Sequence, residues 1–406
     1  MGKISTILFL DNSFTFGGAI ISLKTTMEGL DKDRFRPVLV TAQNPLYLSK
    51  HFLGIKWYSL EMKLPWIHDS IYRKISGLPV FKNNSFTKKL LGRFRSLVWL
   101  FFIILPESFR IYRIGRKQGA GLVHLNNSSG SQLSGIIAAK LLHVPCVAHL
   151  RDYEQQCRSA RINAGLVDHH IAISESIKDN LVSLGVAQEK ISVVYDAVNL
   201  SRFPQETSDH EPIGEIWGEG GELLIGWFGR IIRWKGTREF VMSLSSLKEK
   251  FEGFRAVVVG DSSDSKDLYY PEVKRLAGSL SLSNKVVFAG YKEDVVNLMS
   301  RMDIIAHTSI TPEPFGMVIM EAMACGKPVV ASNAGGGPLE IVKDGETGFL
   351  TDPKDPEKMS DALMTLLKDP DLRDKFGRAG RKRVESMFES SVHVREIEKI
   401  YQGLIE

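Results

Sequence analysis

The chain has 406 residues, of which 43% are hydrophobic and 24% charged, and it contains 35 glycines and 16 prolines. This ordinary composition excludes a disordered, collagen-like or repeat protein, and the length exceeds that of a usual single domain. The formal net charge of +5 does not by itself indicate any class of partner. We therefore expect a globular protein with two domains.

Short β-branched runs alternate with helical patterns through the first half of the sequence. Several of these runs are apolar on consecutive residues, as is typical of parallel strands that are covered on both faces. The predicted strands are 6–10, 37–41, 121–125, 145–149, 169–173 and 191–195, and the helices between them include 18–30, 131–142 and 175–184. This alternation indicates right-handed βαβ units and a doubly wound sheet.

A polar stretch at 204–221 contains proline and glycine and indicates an interdomain linker. A second series of strands follows at 223–228, 256–260, 286–289, 304–307, 329–332 and 348–351. The helices of this half are predicted at 237–250, 294–300, 317–324, 357–368, 372–387 and 392–404. We predict a first domain over 1–200, a second over 201–387, and a last helix, at about 388–406, that packs back on the first domain.

The cysteines and the apolar runs bear on the cellular compartment. Cys146, Cys157 and Cys325 form no Cys-x-x-Cys pair, which favours a reducing, cytoplasmic location. The apolar run at 4–10 lacks a cleavage site and is typical of a strand rather than a signal peptide. The longest apolar run, 97–105, is about half the length that a bilayer requires, so we expect no transmembrane helix.

Basic residues are concentrated in one segment, 56–117, where thirteen of them stand against three acidic residues. With Trp66, Trp99 and Phe101, the segment predicts peripheral contact with an anionic membrane. A solvated helical face over a buried core at 97–105 explains the pattern equally well. No aromatic-basic platform or recognition helix is evident, so we expect no nucleic-acid partner.

The strongest chemical signal is a pair of carboxylates separated by seven residues, Glu313 and Glu321. Pro314 disfavours helix at Glu313, so a helix should begin at about Phe315 or Gly316. The unpaired amides of its first turn, at the carboxyl edge of a sheet, suit a phosphate group. Glu313 would accept hydrogen bonds from sugar hydroxyls, and Glu321 could hold a ribose diol. A capped surface helix with two solvated carboxylates is the alternative.

A second signal follows the first strand of the second series and reads Gly-Arg-Ile-Ile-Arg-Trp-Lys-Gly over 229–236. Arg230 and Lys235, as fixed cations at a strand end, can neutralise a diphosphate leaving group as its bond to a sugar breaks. The guanidinium group of Arg230 can donate to two phosphate oxygens at once, whereas the Lys235 ammonium group acts as a point charge. A basic loop without chemistry is the alternative.

Two weaker signals lie in the first half. Gly17 and Gly18 separate the first strand from the first helix and let the backbone approach a ligand closely, although a tight turn explains them equally well. His149 ends its strand and would face an interdomain crevice, whereas most lone histidines are structural. The four clusters would therefore meet at strand ends around one cleft.

The order of these motifs resembles that of the retaining nucleotide-sugar glycosyltransferases of family four: the Gly-Gly pair, the histidine, Gly-Arg-x4-Lys-Gly and Glu-x7-Glu. Further matches lie at 172–175, 321–331, 336–340 and 344–350, and the resemblance is weaker from 56 to 120. It implies an α/β chain of the GT-B fold, with two Rossmann-like doubly wound domains that face each other across a cleft. One departure is Asp-Ala-Val-Asn at 196–199, where the family usually has Asn-Gly-Val-Asp; the lost glycine predicts a turn without positive φ.

The resemblance also implies roles for particular residues. The catalytic set would be His149, Arg230, Lys235 and Glu313. The donor would further contact Gly17, Gly18, Tyr291, Phe315, Gly316, Met317, Val318 and Glu321. In this assignment the cations hold the diphosphate, His149 contacts the sugar near its reacting face, and Tyr291 contacts the base. The first domain would take the acceptor and the second the nucleotide sugar.

The resemblance further implies catalysis without a metal or cofactor. Asp31-Lys32-Asp33 has the spacing of a metal-binding motif but falls at the predicted end of a helix, where we expect solvated carboxylates. No carboxylate is placed as a covalent nucleophile, so same-face attack is favoured, with the departing phosphate taking the acceptor's proton.

The expected activity is transfer of a hexose-type sugar from a UDP- or GDP-linked donor to a glycan or lipid-linked acceptor, as in cell-surface polysaccharide or glycolipid synthesis. A sugar-nucleotide epimerase or hydrolase, and a non-catalytic nucleotide-sugar-binding protein, remain alternatives. A dehydrogenase is disfavoured, because no Gly-x-Gly-x-x-Gly follows the first strand.

Overall fold

The computed structural model describes residues 4–12, 18–42, 45–60, 94, 96–203, 221–262 and 267–406, with only the backbone described at 45–47. Residues 204–220 of the predicted linker, Gly17 and Trp66 lie outside these ranges. The chain divides into two compact units. The first comprises Met1–Ala172, Ile177–Val194 and Val394–Glu406, and the second comprises Ile173–Ser176 and Tyr195–His393.

The first unit contains a seven-stranded parallel sheet in the order β3-β2-β1-β4-β5-β6-β7. Its strands are β1 (Ser5–Asp11), β2 (Phe35–Thr41), β3 (Lys56–Ser59), β4 (Ala120–Asn127), β5 (Cys146–Leu150), β6 (His169–Ala172) and β7 (Ile191–Val193). The six strands expected from the sequence are present, and β3 is an edge strand that the sequence analysis did not predict. Six consecutive residues of β1 are buried, as expected for a strand covered by helices on both faces.

Helices connect these strands. They are α1 (Gly18–Gly29), α2 (Pro45–His51), a π-helical turn (Leu100–Ile104) continued by α3 (Leu105–Gln118), α4 (Leu133–Leu142), α5 (Arg158–Gly165) and α6 (Glu175–Ser183). The apolar run at 97–105 is not the buried core that one interpretation of the sequence expected. Within it Ile103 alone is buried, whereas Phe101 and Phe102 are exposed. No helix among the residues the structure describes is both long and apolar enough to cross a membrane.

The second unit contains a six-stranded parallel sheet in the order β10-β9-β8-β11-β12-β13. Its strands are β8 (Leu223–Phe228), β9 (Phe254–Val259), β10 (Val286–Gly290), β11 (Ile304–His307), β12 (Val329–Ser332) and β13 (Gly348–Thr351). The direction in which successive strands are added reverses between β8 and β11. In open parallel sheets, ligands bind beyond the carboxyl ends of the strands at such a reversal.

The helices after these strands are α7 (Thr237–Lys250), α8 (Tyr269–Ser279), α9 (Val295–Ser300), α10 (Met317–Ala324), α11 (Pro338–Ile341), α12 (Pro356–Lys368), α13 (Pro370–Met387) and α14 (Ser390–Ile405). Aspartates cap three of them: the carboxylates of Asp294, Asp355 and Asp369 each accept a backbone N–H in the first turn of α9, α12 and α13. Ala197 has no positive φ, unlike Asn127, His143 and Ser281, as the missing glycine predicted.

The last helix, α14, joins the core of the first unit. Val394, Ile397 and Tyr401 pack with Phe9 and Leu39 of the neighbouring strands. The Tyr401 hydroxyl lies 2.7 Å from His124 Nδ1, a buried hydrogen bond between helix and sheet. The core of the first unit is therefore completed by residues that follow the second unit in sequence.

Candidate functional site

The candidate site lies within the second unit, where the loops after β8 and β11 leave neighbouring strands. Trp234 O accepts the Ile310 N–H at 2.9 Å, so the two loops are joined through their backbones. The Thr308 hydroxyl accepts from Trp227 Nε1 at 2.9 Å and lies 2.8 Å from Gly236 O, to which it donates. These bonds hold the two loops in a fixed relation at the reversal of the sheet.

Gly236 makes this close approach possible. Its φ is +69°, and a Cβ built on it would lie 1.8 Å from Thr308 O. Glycine alone combines the left-handed conformation with room for the neighbouring backbone. The preceding turn, Arg233–Lys235, is a 3₁₀ helix. It brings the side chain of Lys235 beside the loop after β11.

Lys235 and Glu313 form the central ion pair. Lys235 Nζ lies 2.5 Å from Glu313 Oε1, and the side chains are only 17% and 9% exposed. The ammonium group also lies 4.4 Å from the centroid of the Trp234 ring. Two residues from separate motifs of the sequence thus form one charged group from which water is largely excluded, where a charge acts more strongly than in solvent.

The second oxygen of Glu313 is held by two residues that the sequence analysis missed. Ser309 Oγ donates to Glu313 Oε2 at 2.6 Å, and His307 Nε2 lies 3.4 Å from the same oxygen. Burial alone would raise the pKa of Glu313. The hydrogen bond from His307 and the charge of Lys235 outweigh burial and hold this pKa well below its usual value. Glu313 is therefore a fixed anion.

The backbone of Glu313 is also fixed. Its N–H donates to Gly335 O at 3.2 Å, and its carbonyl accepts from Gly337 N at 2.9 Å. The Ser174 hydroxyl donates to Pro314 O at 2.8 Å. Hydrogen bonds to Gly335, Gly337 and Ser174 therefore fix the loop that carries the Glu313 carboxylate, before the helix begins.

Helix α10 begins immediately after this loop. Gly316 is its N-cap at φ +113°, a conformation that side-chain-bearing residues rarely adopt. The amides of Met317 and Val318 begin the helix and lack an intrahelical acceptor, as the first amides of any helix do. Phe315 is buried, and its ring stacks on Tyr195 at 5.7 Å between centroids. The first turn of α10 can therefore offer backbone donors to an anion beside Lys235 and Glu313.

Glu321 follows one turn into α10 and is half-buried. Desolvation raises the pKa of its carboxyl to about 7, against a smaller opposing effect of the Arg202 charge. A carboxyl group in this state can either donate or accept a hydrogen bond near neutral pH. Its role toward a ribose stays a prediction.

The remaining predicted donor contacts of the second unit are exposed. Arg230 lies one residue beyond Gly229 in the loop after β8, with its side chain in solvent. Tyr291 follows β10 and is 71% exposed. β10 is the edge strand, two strands away from β8 at the same carboxyl edge. Both side chains are accessible to a ligand there, and their roles stay predictions.

The predicted residues of the first unit lie at the carboxyl ends of β1 and β5. Gly18 is the first residue of α1, and Gly17 lies outside the described residues. His149 is fully buried in β5, with its ring edge-on to His124 at 5.4 Å. Arg151 Nη2 lies 3.3 Å from His149 Nδ1. Because a guanidinium group only donates, Nδ1 is the acceptor in this contact. Contact of His149 with a sugar stays a prediction.

Two further motifs of the sequence meet within the second unit. The Glu340 carboxylate accepts the backbone N–H of Glu175 at 2.9 Å and of Ser176 at 3.3 Å. Desolvation and Glu340 together raise the pKa of Tyr195 to about 12. The Glu340 carboxylate thus accepts from the first two amides of α6.

Metal ligands are not grouped in the described part of the chain, where no cluster of three or more His, Cys, Asp or Glu side chains could hold an ion. Asp31 and Asp33 are exposed in the turn after α1, and Asp31 Oδ1 accepts the Asp33 N–H at 3.0 Å. This pair forms a local turn at the end of a helix.

Comparison with known proteins identifies the family. The family model described as "Glycosyl transferases group 1" matches residues 211–383, and that described as "Glycosyltransferase Family 4" matches 16–202. The capsular polysaccharide biosynthesis glycosyltransferase CapM of Staphylococcus aureus is 29% identical over 245 residues, which cover 58% of this chain and 62% of CapM. The chain spans about three-fifths of the length of the curated relatives that it matches.

Solved structures agree over the whole chain. A glycosyltransferase from Rickettsia africae ESF-5 superposes with a TM-score of 0.81 at 23% identity and covers 100% of both chains. Alr3699/HepE of Anabaena, solved in complex with UDP and glucose, gives a TM-score of 0.77 at 25% identity and covers 98% of this chain and 99% of its own. The chain belongs to glycosyltransferase family 4 and has the GT-B fold, with two parallel sheets of the Rossmann type.

Proposed function

We propose that the protein transfers a hexose-type sugar from a UDP- or GDP-linked donor to a glycan or lipid-linked acceptor, with retention of anomeric configuration and without a metal ion. The observation that carries this proposal is the buried Lys235–Glu313 pair beside the first turn of α10. At one sheet edge, a fixed cation and free helix amides can bind the phosphates of a sugar diphosphate, and a fixed anion can accept hydrogen bonds from its sugar hydroxyls.

In this proposal Lys235 and the first amides of α10 bind the donor phosphates. As the glycosidic bond to phosphate breaks, negative charge develops on the leaving diphosphate, and the Lys235 ammonium stabilises it without reorganisation. Arg230, exposed in the same loop, adds a second cation. Loss of either cation should slow the bond-breaking step more than it weakens donor binding.

Glu313 acts as an acceptor for sugar hydroxyls. Both of its oxygens are already engaged, one by Lys235 and the other by Ser309. An anion held in this way is a weak nucleophile and a well-oriented hydrogen-bond acceptor. This supports attack by the acceptor on the face from which the diphosphate leaves, with a phosphate oxygen taking the acceptor's proton.

The relatives support the choice of substrates. Alr3699/HepE was solved with UDP and glucose, and CapM is named for capsular polysaccharide biosynthesis. We therefore propose a role in cell-surface polysaccharide or glycolipid synthesis, at the cytoplasmic side, where nucleotide sugars serve as donors. His149 of the first unit would contact the sugar near its reacting face.

The test begins with thermal stabilisation by a panel of UDP- and GDP-sugars, followed by transfer to candidate acceptors. A donor at a hundred times its Kd should stabilise the fold by about 2.7 kcal/mol. Lys235→Ala and Glu313→Ala should each lower turnover by about a hundredfold or more. Lys248→Ala, a lysine of α7 that donates to Ser281 O, serves as the matched control.

Four results would overturn parts of the proposal. Undiminished turnover in Lys235→Ala or Glu313→Ala would refute the assignment of the site. Inhibition by a chelator, reversed by a divalent cation, would refute metal independence. Inverted configuration in the product, read by NMR, would refute retention. Conversion of donor without any acceptor would indicate an epimerase or hydrolase instead.

A further inference from the structure

The helical stretch around α3 presents an unusual surface. Phe101, Phe102 and Phe109 are 59%, 69% and 55% exposed, although large aromatic side chains are usually buried. Phe94 and Leu97, just before them, are exposed as well. Several exposed large apolar side chains on one helical stretch of a folded protein mark a site of interaction. We call the exposed residues of 94–117 the α3 surface.

The α3 surface is divided along its length. Its first half carries the exposed phenylalanines, and its second half carries Arg110, Arg113, Arg116 and Lys117, all exposed. From Phe101 to Lys117 the helix rises about 24 Å at 1.5 Å per residue. The apolar and the cationic halves therefore lie end to end on one side of a single rigid element.

The opposite side of α3 is packed. Ser108, Ile111, Gly115 and Gln118 are buried, at a helical spacing that keeps them on one face. The contacts of this face fix which side of the helix is exposed. Within the described part of 94–117 the one acidic residue is Glu107, which is half-buried rather than exposed. The exposed side therefore carries positive charge without compensation on the helix itself.

A groove of about 650 Å³ lies beside the cationic half. The rings of Tyr58, Phe109 and Tyr112 line it together with Arg113, Arg116 and Lys117. Arg116 Nη1 lies 3.2 Å from the Tyr112 hydroxyl, which orients the guanidinium group. Aromatic walls with several cations at the rim suit a phosphate-bearing headgroup whose apolar part continues toward the phenylalanines.

We propose that the α3 surface docks the protein on an anionic lipid bilayer, with the phenylalanines inserted among the acyl chains and Arg113, Arg116 and Lys117 against lipid phosphates. A surface that combines exposed Phe with Arg and Lys binds such an interface through the apolar area it buries and through attraction to anionic lipids. Charge complementarity favours a bilayer over a neutral protein partner. The proposal does not rest on glycosyl transfer, because the residues of the α3 surface belong to the first unit and those of the candidate site to the second.

The test measures co-sedimentation of the full chain with phosphatidylcholine vesicles that contain phosphatidylglycerol, without donor or acceptor. The triple variant Arg113→Glu, Arg116→Glu, Lys117→Glu should lower the partition coefficient by about a hundredfold, since each basic residue near an anionic surface contributes several-fold. Phe101→Ser, Phe102→Ser, Phe109→Ser should lower it by about tenfold or more even in high salt, where charge is screened.

The matched control reverses three exposed lysines of the second unit, Lys354→Glu, Lys375→Glu and Lys382→Glu. It makes the same change in net charge and should alter partitioning by less than about threefold. Unchanged melting temperatures show that the variants fold. The proposal is overturned if wild type does not bind anionic vesicles, or if both charge reversals act equally. It is also overturned if the wild type is a dimer without vesicles and the phenylalanine variant is a monomer. That result would mean that a second copy of the chain covers this surface.

Discussion

Lys235 and Glu313 lie 78 positions apart in the sequence and are joined by a 2.5 Å ion pair beside the reversal of the second sheet. Both charged groups are fixed in position. The Trp234 ring lies beside the Lys235 ammonium group, and the Ser309 hydroxyl donates to Glu313 Oε2. The electrostatics of this group are therefore set before any ligand arrives. The cost of such preorganisation should be visible in the stability of the protein.

Lys235→Met should lower the free energy of unfolding by about 3 kcal/mol, because it leaves the Glu313 carboxylate buried without its cation. Urea denaturation of the full chain measures this loss. The double variant Lys235→Met, Glu313→Gln should regain part of it, since no buried charge is then left uncompensated. Lys399→Met is the control: it breaks an exposed pair with Glu396 and should cost less than about 1 kcal/mol. Equal losses in the two single variants would contradict the argument.

Gly236→Ala should disrupt the junction of the two loops. The added methyl group would lie 1.8 Å from Thr308 O, so the backbone must shift. Gly119 offers a matched control, because its φ of +63° is similar and nothing lies within 4 Å of the position where its Cβ would be. Gly119→Ala should cost only the conformational penalty of about 1 kcal/mol. Thermal denaturation should show a clearly larger loss for Gly236→Ala, and equal losses would mean that contact with Thr308 is unimportant.

Glu321 should make stability fall as the pH rises. Its pKa is about 7 in the folded protein and 4.5 in the absence of burial. Between these values the unfolded chain releases the proton first, so the stabilisation present below about pH 4.5 is lost as the pH rises through about 7. The loss amounts to about 2 kcal/mol after allowance for partial exposure. Denaturation midpoints of wild type and Glu321→Gln across this range should converge at low pH and separate at high pH.

The titration of His170 should instead lower the stability of the protein as the pH falls. Its side chain is buried in β6, neither ring nitrogen has a hydrogen-bond partner among the residues described, and burial lowers its pKa to about 4. Because the unfolded imidazole titrates at 6.5, stability is lost as the pH falls from about 6.5 to 4, by about 3 kcal/mol. His170→Leu should remove most of this acid sensitivity. His169→Leu, at the half-buried neighbour, should remove less, and the reverse order would contradict the assignment.

Most of the fold follows from the pattern of apolar runs. The buried strands of both sheets, such as β1 and β8, are apolar on consecutive residues and could be predicted to within a few positions. β3 was missed because it is a short edge strand whose side chains are only partly buried, so it carries no apolar run. The run at 97–105 was misleading for the converse reason: its apolar residues lie largely on an exposed helix surface.

The candidate site was only partly predictable. Lys235 and Glu313 each stand in a motif, and Gly316 follows from the need for a helix start after Pro314. His307 and Ser309 carry no such signal. They follow a strand as many polar residues do, and their contact with Glu313 Oε2 depends on how the loop folds back. The pKa of Glu321 is also invisible in the sequence, because it depends on burial.

The return of α14 to the first unit has a consequence during synthesis. Residues 394–406 leave the ribosome only after the second unit has been made, yet Ile397 and Tyr401 belong to the core that Phe9 and Leu39 begin. Until then the nascent first sheet exposes the apolar surface that α14 will cover, while all residues of the second unit are already available to fold. Chaperones that bind apolar segments should therefore engage the amino-terminal half until residues 394–406 emerge.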